Sequence, residues 1–353
     1  MRRRPARQIK LGNVKIGANA PVSIQSMTNT DTKDIVSTVR QIKRLEKAGC
    51  EIIRVAVRDD ASASAVRKIR PAISIPLEAD IHFDHRLALK SVESGADGIR
   101  LNPGNIRVPR HIRLVMDACK ERNIPIRIGA NSGSVAGRYR ALGEKAHAAG
   151  MVKSVMDYIK IFEKNKFFDI MISLKSSSVI STIYAYRQIA SLCNYPLHIG
   201  VTATGCGEEA IIKSAIGIGS LLSEGIGDTI RVSLTGRPED EVIAARHILQ
   251  ALKLRSFYHE LISCPTCGRC QVDLEGIVKR VKRKLYAMPA SARGNRFLTA
   301  AVMGCEVNGP GEAKTADVGI AFGRDSGILF RKSKIIKKIS AKNAVKELID
   351  ALF

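Results

Sequence analysis

The amino-acid sequence predicts an α/β chain in which a (β/α)8 TIM barrel, residues 1–258, precedes a small α+β domain, residues 259–353. Three observations carry that prediction. Eight short segments rich in Ile, Val and Leu recur at regular spacing through the first part of the chain. Runs with helical spacing follow them. Beyond LKLRSFYHELIS the texture changes to a cysteine loop and a new set of short apolar segments.

The eight segments are VSIQSMT from Val22, EIIRVAV from Glu51, IPLEADIHF from Ile75, GIRLNPG from Gly98, PIRIGANSG from Pro125, DIMISLKSS from Asp169, PLHIGVTATG from Pro196 and DTIRVSLTG from Asp228. Apolar cores of this kind suit strands buried on both faces. IVSTVRQIKRLEKAG after the first and EDEVIAARHILQAL after the last have the 3.6-residue period of helices. Strand–helix alternation over short connections means parallel pairing through right-handed crossovers. Eight such units in about 250 residues match a closed barrel. An open doubly wound sheet is the runner-up, but no GxGxxG follows the first strand. Glu51-Ile-Ile-Arg54, Asp97-Gly-Ile-Arg100 and Asp228-Thr-Ile-Arg231 add a weak internal echo.

In the second domain CPTCGRC reads as a loop, EGIVKRVKRKLYAM from Glu275 as a helix and FLTAAVMG from Phe297 as a strand. That strand leads into GCEVNGPGE, whose Gly-Pro-Gly is turn chemistry. VGIAFG, GILF and a terminal basic amphipathic helix complete the domain.

Composition narrows the function. Lys and Arg number 57 against 33 Asp and Glu, a net charge of +24 that suits an anionic partner or substrate. With 5% aromatic residues and no Trp there is no stacking platform for single strands, which speaks against a nucleic-acid role. No apolar run approaches the roughly 18–20 residues that cross a bilayer, so no membrane role is expected. MRRRPARQIK leads into no apolar segment, so no secretory signal is expected. Eight cysteines without a signal then imply a reducing, cytoplasmic setting.

Polar residues inside barrel strands point to the chemistry, because the strands' C-terminal ends build the active site. Arg54, Arg100, Arg127 and Arg231 interrupt apolar strands, and Lys175 lies near the end of another. Each alone could pair with a structural carboxylate. Together, without an equal set of acids, they call for a phosphate or diphosphate, which guanidinium forks match in bidentate fashion. Asn102 and Asn131 follow two of these arginines and can donate without adding charge. Asp80 and His82 share one strand face, either as an acid–base pair or as a strand-end hydrogen-bond pair.

Cys264, Cys267 and Cys270 form C-x2-C-x2-C, and Cys305 offers a distant fourth thiol. Both a structural zinc site and an iron–sulfur cluster fit this set. Cys50, Cys119, Cys193 and Cys206 read as small buried side chains.

CPTCGR followed by GCEVNGPGE, with QSMTNTDT, IRLNPGNI, RIGANSGS, SLKSSS and LLSEGIGDTIRVSL, resembles the 4-hydroxy-3-methylbut-2-enyl diphosphate synthase family, over nearly the whole chain. The resemblance is to the bacterial two-domain form of this iron–sulfur reductase of isoprenoid biosynthesis. It implies a 4Fe–4S cluster held by Cys264, Cys267, Cys305 and Glu312, with Cys270 a bystander. The carboxylate, a harder ligand than thiolate, would leave one iron readily, which makes Glu312 a catalytic position. The implied substrate is 2-C-methyl-D-erythritol 2,4-cyclodiphosphate, reduced with electrons from flavodoxin or ferredoxin. Arg54, Arg100, Arg127, Lys175 and Arg231 would hold its diphosphate, assisted by Asn102 and Asn131, with Asp80 and His82 toward the hydroxyl end. The family is also expected to form a head-to-tail homodimer in which Asn308 reaches the partner's barrel. One departure stands out: where the family carries a glutamate in Thr-Glu-Ala-Gly, VTATGCGEE places Ala203. Two rivals are a barrel transferase of pterin or related phosphate esters with a zinc-bearing tail, and a basic zinc-ribbon RNA-binding protein.

Overall fold

The computed structural model describes residues 3–131, 143–288, 296–305, 311, 313–324, 326–332 and 334–353. The chain divides into two compact units, Met1–Arg255 and Ser256–Phe353. In the first, eight parallel strands alternate with helices, as the apolar segments predict. The strands are β3 (Ser23–Met27), β4 (Ile52–Val57), β5 (Leu77–Ile81), β6 (Gly98–Leu101), β7 (Ile126–Asn131), β8 (Ile170–Lys175), β9 (His198–Ile199) and β10 (Thr229–Ile230). They follow one another in sequence from β3 to β8, and β10 joins β3 to β9. A parallel bridge from Ile172 to Leu197, just before β9, brings the ends of the sheet together. The result is a (β/α)8 barrel.

Among the described residues eight helices wrap it: α1 (Ile35–Ala48), α2 (Asp60–Ile69), α3 (His85–Glu93), α4 (Pro109–Glu121), α5 (Gly143–Lys164), α6 (Val179–Leu192), α7 (Gly207–Ser223) and α8 (Pro238–Ala251). Local chemistry sets their ends. Asp34 accepts from the Ser37 N–H at 3.0 Å to start α1, and Gly49, at φ +103°, ends it in a conformation that favours glycine. Ile42 and Leu45 on the inner face of α1 are fully buried, each worth about 1.5–3 kcal/mol relative to exposure.

A hairpin that the sequence reading treats only as a basic start precedes the barrel. β1 (Ile9–Leu11) and β2 (Val14–Ile16) pair antiparallel around Gly12 and Asn13, with Gly12 at φ +55°. Ile9, Leu11 and Ile16 cluster with Ile52 and Met171 from the beginnings of β4 and β8. The hairpin thus plugs the barrel's N-terminal end, leaving the opposite end for chemistry.

The second unit is a five-stranded mixed sheet in sequential order, β11 (Glu260–Ser263), β12 (Thr299–Met303), β13 (Val318–Phe322), β14 (Ser326–Arg331) and β15 (Lys334–Ser340). β11 to β13 run parallel, and β13 to β15 form an antiparallel meander. Helices α9 (Leu274–Ala287) and α10 (Ala344–Leu352) cover one face, with Ile277, Val281, Leu285 and Leu348 packed with Val302, Ile320, Phe322 and Leu329. The expected basic terminal helix is corrected here. The basic run KIIKKIS is edge strand β15, where its isoleucines pair with β14, and α10 carries only Lys346 against Glu347 and Asp350. Exposed lysines suit an edge strand because they discourage further strand pairing.

The barrel interior departs from the usual filling of branched apolar side chains. The strand register stacks it in layers contributed by alternate strands. The lowest polar layer holds Gln25, Glu78, Arg127 and His198 from β3, β5, β7 and β9. Arg127, with no exposed side chain, meets Glu78 at 2.6 Å and donates to Gln25 Oε1 at 2.6 Å. Removing one partner of a buried pair strands the other charge. Arg127→Met is therefore expected to lower unfolding free energy by about 3–5 kcal/mol, whereas the double variant Arg127→Met/Glu78→Leu recovers much of it. Urea unfolding of the three proteins checks this.

Candidate active site

Above the Gln25–Glu78–Arg127–His198 layer, the register places Arg54, Arg100, Ser173 and Arg231 from β4, β6, β8 and the end of β10. The next layer up holds Met27, Asp80, Gly129 and Gly200. Two of its four positions thus lack side chains, and the cations fill that space. A Cβ on Gly129 would lie 2.6 Å from Arg100 Nε, and one on Gly200 would lie 3.0 Å from Lys175 Nζ. Lys175 itself ends β8 beside Asn131 of β7 and is 7% exposed. The strand ends thus form a cup lined by cations.

Three carboxylates accompany the five cations among the described residues, so the sequence expectation of unequal sets holds. Asp80 lies 3.0 Å from Arg100 and 3.6 Å from Arg54, and Arg100 also donates to the Gly129 carbonyl at 2.9 Å. Burial opposes the Asp80 charge, but Arg54, Arg100 and Arg127 outweigh it and hold the carboxyl at about 2. Because this pKa is depressed, the stabilisation is present above the ordinary aspartate range, near pH 4, and is lost only as pH falls toward 2. Asp80 therefore carries no proton to donate at neutral pH. It braces Arg100 and Arg54. His82 Nε2 is 3.9 Å from the same carboxylate.

Arg231 is clasped by Glu241, a residue of the first turn of α8, at 3.3 Å through Nε and Nη2. The Glu241 carboxylate also accepts from Ser26 Oγ at 3.2 Å and from the Leu234 N–H at 3.0 Å. Arg54 donates to Met27 Sδ at 3.0 and 3.2 Å. A thioether is a weak acceptor, so this arginine remains open to a stronger one. Arg127 is committed one layer deeper, to Glu78 and Gln25. Asn102 Oδ1 accepts from the Gly104 N–H at 2.9 Å and shapes the LNPGN turn.

Glu78, Glu241, Gln25 and His198 are the residues that the sequence reading missed. The period-two rule that sets Asp80 and His82 on one face also reaches Glu78, and it joins His198 to Gly200. His198 shares a 2.6 Å hydrogen bond between Nδ1 and Thr229 Oγ1. Burial, then Lys175 and the surrounding arginines, push its imidazole well below the usual range. It is neutral.

The loop after β9 carries Ala203, exposed and at φ +52°. The Thr202 N–H donates to the Ser176 carbonyl at 3.1 Å, Thr204 Oγ1 donates to the Ser233 carbonyl, and the Thr235 N–H donates to Gly205 at 2.8 Å. Ala203 is thereby held between the loops that follow β8 and β10. Glu209 pairs with Lys213 along α7.

In the second unit, Cys264 follows β11 and Cys305 follows β12, at the same end of two adjacent parallel strands. The Gly304 N–H donates to Cys264 Sγ at 3.1 Å, and a Cβ on Gly304 would lie 2.8 Å from Cys270 Sγ. Hydrogen bonds from backbone to sulfur are a means of tuning cluster thiolates. The converging strand ends and the bare glycine bring the Cys264 and Cys270 sulfurs to the Gly304 backbone. Among the described residues no three metal-binding side chains are grouped closely enough to hold an ion. Asn308 and Glu312, both expected at the site, lie outside the described residues. Cys50 and Cys119 are buried, their thiols pushed up to about 12 by burial, as small core side chains should be. Cys206 departs from that expectation, being exposed at the start of α7, and Cys193 is half-buried.

Fold and site together define a (β/α)8-barrel protein whose strand ends are lined by cations and which carries a thiol-bearing α+β unit. The chain belongs to the GcpE family: the GcpE TIM-barrel domain matches residues 6–246 and the GcpE protein C-terminal domain residues 260–352. It is 52% identical over 349 residues to the 4-hydroxy-3-methylbut-2-en-1-yl diphosphate synthase (flavodoxin) of Clostridium perfringens, covering 99% of this chain and 98% of that protein. The same-named protein of Thermodesulfovibrio yellowstonii is 50% identical over 353 residues, covering 100% of this chain and 99% of its relative. Among solved structures, a dihydropteroate synthase from Stenotrophomonas maltophilia superposes with TM-score 0.52 at 11% identity, covering 70% of this chain and 97% of that one. That likeness concerns the barrel fold alone.

Gly129→Ala would drive a methyl into Arg100 and Ser173 Oγ. It is expected to weaken binding of inorganic pyrophosphate about tenfold, roughly 1.4 kcal/mol, and to lower unfolding free energy by about 1–3 kcal/mol through overpacking. Calorimetric titration and thermal melts separate the two effects.

Proposed function

We propose that this chain opens and dehydrates 2-C-methyl-D-erythritol 2,4-cyclodiphosphate reductively, giving 4-hydroxy-3-methylbut-2-enyl diphosphate in isoprenoid biosynthesis. Identity of about 50% along the whole chain to synthases of that product supports the reaction. The observation that carries the site is the cup in which five cations face three carboxylates. The two rivals, a zinc-tailed transferase and an RNA-binding protein, do not account for this family membership.

Arg54, Arg100, Lys175 and Arg231 hold the diphosphate directly, Arg127 adds positive potential from the layer below, and Asn131 donates from the rim. Asn102 keeps the rim's shape. Ring opening frees a phosphate oxygen, so negative charge at the cup grows along the reaction. Fixed cations therefore favour the opened product and the path toward it over the ring. One carbon–oxygen bond of the ring breaks, a hydroxyl takes one proton and leaves as water, and two electrons are consumed, so the dianionic ring becomes a trianionic open diphosphate whose freed phosphate oxygen stays ionised. His82 stands at the rim toward the hydroxyl end, with Asp80 orienting it and the arginines. Cys264, Cys267 and Cys305, with Glu312, would hold a 4Fe–4S cluster, which supplies the electrons one at a time when bound. Asn308 would contact the substrate from the cluster unit of a second chain in a homodimer.

No described helix is long and apolar enough to cross a membrane, in keeping with a cytoplasmic enzyme. Flavodoxin or ferredoxin would deliver the electrons. Lys279, Arg280, Lys282, Arg283 and Lys284 are exposed along α9, where they suit an acidic electron carrier. Lys282→Glu/Arg283→Glu is expected to raise the KM for reduced flavodoxin severalfold at low salt, with turnover on a small-molecule reductant unchanged.

Oxygen-free protein should contain iron and sulfide and convert the cyclodiphosphate with reduced flavodoxin. Zinc in their place, or no allylic diphosphate, overturns the reading. Because Ala203 already occupies a left-handed conformation, Ala203→Glu adds a carboxylate without a new backbone penalty. If the acid serves proton delivery, turnover rises at least about tenfold, equivalent to 1.4 kcal/mol of barrier. An unchanged rate in the same assay shows that the departure is harmless.

A further inference from the structure

The cup contains a buried amine without a counter-ion. Lys175 Nζ is buried and has no hydrogen-bond acceptor among the described residues, and His198 Nε2 below it is likewise without a partner. A Cβ on Gly200, two residues after His198, would meet the Arg231 carbonyl and lie 3.0 Å from Lys175 Nζ, so the amine packs against bare backbone just beyond β9.

The groups around Lys175 come from every strand it meets. Arg231 extends from β10, Arg54 from β4 and Arg127 from β7, while neutral His198 faces it from β9. The carboxylate on this side, Glu241 of α8, already serves Arg231, Ser26 and the Leu234 N–H. Tyr186 of α6 donates to the His198 carbonyl and accepts from the Leu174 N–H at 2.9 Å, so it supports the two strands and holds no negative charge. Burial, followed by Arg231, Arg54 and Arg127, pushes the Lys175 ammonium well below the usual lysine range.

We propose that Lys175 is neutral while the cup is empty and takes up one proton as a diphosphate closes onto it, with His198 as its neutral neighbour throughout. The inference rests on the diphosphate assignment above. A bound anion supplies the missing counter-charge and reverses the sign of the local potential, so the ammonium becomes the favoured form. Each phosphoryl group of a cyclic diphosphate is fully ionised near neutrality, so the proton is taken by the protein. Its source is solvent. Affinity then falls as pH rises, by up to about tenfold per pH unit between the empty-state and bound-state midpoints. The cup gains its fifth positive charge only when there is something to hold.

Calorimetry of cyclodiphosphate binding to the full chain, in buffers of differing ionisation enthalpy near pH 8, reads the proton count. Uptake of about one proton is expected. It should vanish in Lys175→Met, which binds more weakly, and persist in His198→Asn, which keeps a partner for Thr229. Binding without uptake overturns the proposal but leaves the proposed function intact, as does uptake that survives in Lys175→Met. A ligand-free titration of lysine 13Cε resonances, with Lys175 assigned by its loss in the variant, decides the matter even if the cyclodiphosphate fails to bind. A midpoint below about pH 8 supports the neutral lysine, and a midpoint at or above it overturns the proposal.

Discussion

Four arginines and a lysine crowd the axis of one parallel barrel, and much of the structure answers to the repulsion among the guanidinium charges. At an effective dielectric near 20, two like charges a few ångströms apart oppose each other by several kcal/mol. The fold offsets this with Glu78 in the lowest polar layer, Asp80 between two arginines and Glu241 reaching in from a helix. The offset is incomplete. Positive potential that the protein's own acids do not neutralise therefore remains at the strand ends, and the proposed diphosphate would offset it.

Space is managed as deliberately as charge. An ordinary barrel fills each interior layer with four side chains. Here Gly129 and Gly200 omit two of them at the level where Arg100 and Lys175 lie. Below, the β1–β2 hairpin seals the N-terminal end with Ile9, Leu11 and Ile16. The polar interior is therefore closed at one end and open at the other. Without that seal, water could reach the Arg127–Glu78 pair from beneath and weaken the electrostatics above it.

The second unit solves a different problem on the same principle of converging strand ends. Parallel pairing of β11 and β12 brings two residues far apart in sequence, Cys264 and Gly304, within a hydrogen bond. Gly304 matters because the Cys270 sulfur sits where its side chain would be. The loop thiols and the strand end can approach only if that position stays bare.

The arginines were legible because a guanidinium within an apolar strand contradicts its surroundings, and so was the alternation that makes a barrel. Glu78 was not, since an acid near a strand's entry looks like a solvent-exposed start. Glu241 sits among the acids that commonly open a helix, and only the packing of α8 on the barrel turned it inward. The basic run after Arg331 has lysines spaced for either a helix or an edge, and pairing with β14 decided for the strand. Local pattern alone thus determined the eight barrel strands and where cations interrupt them. The partners of each charge, the glycine gaps and the isolation of Lys175 depend on which strand lies beside which and at what stagger. Those are distances between residues remote in sequence, and closure of the barrel creates them.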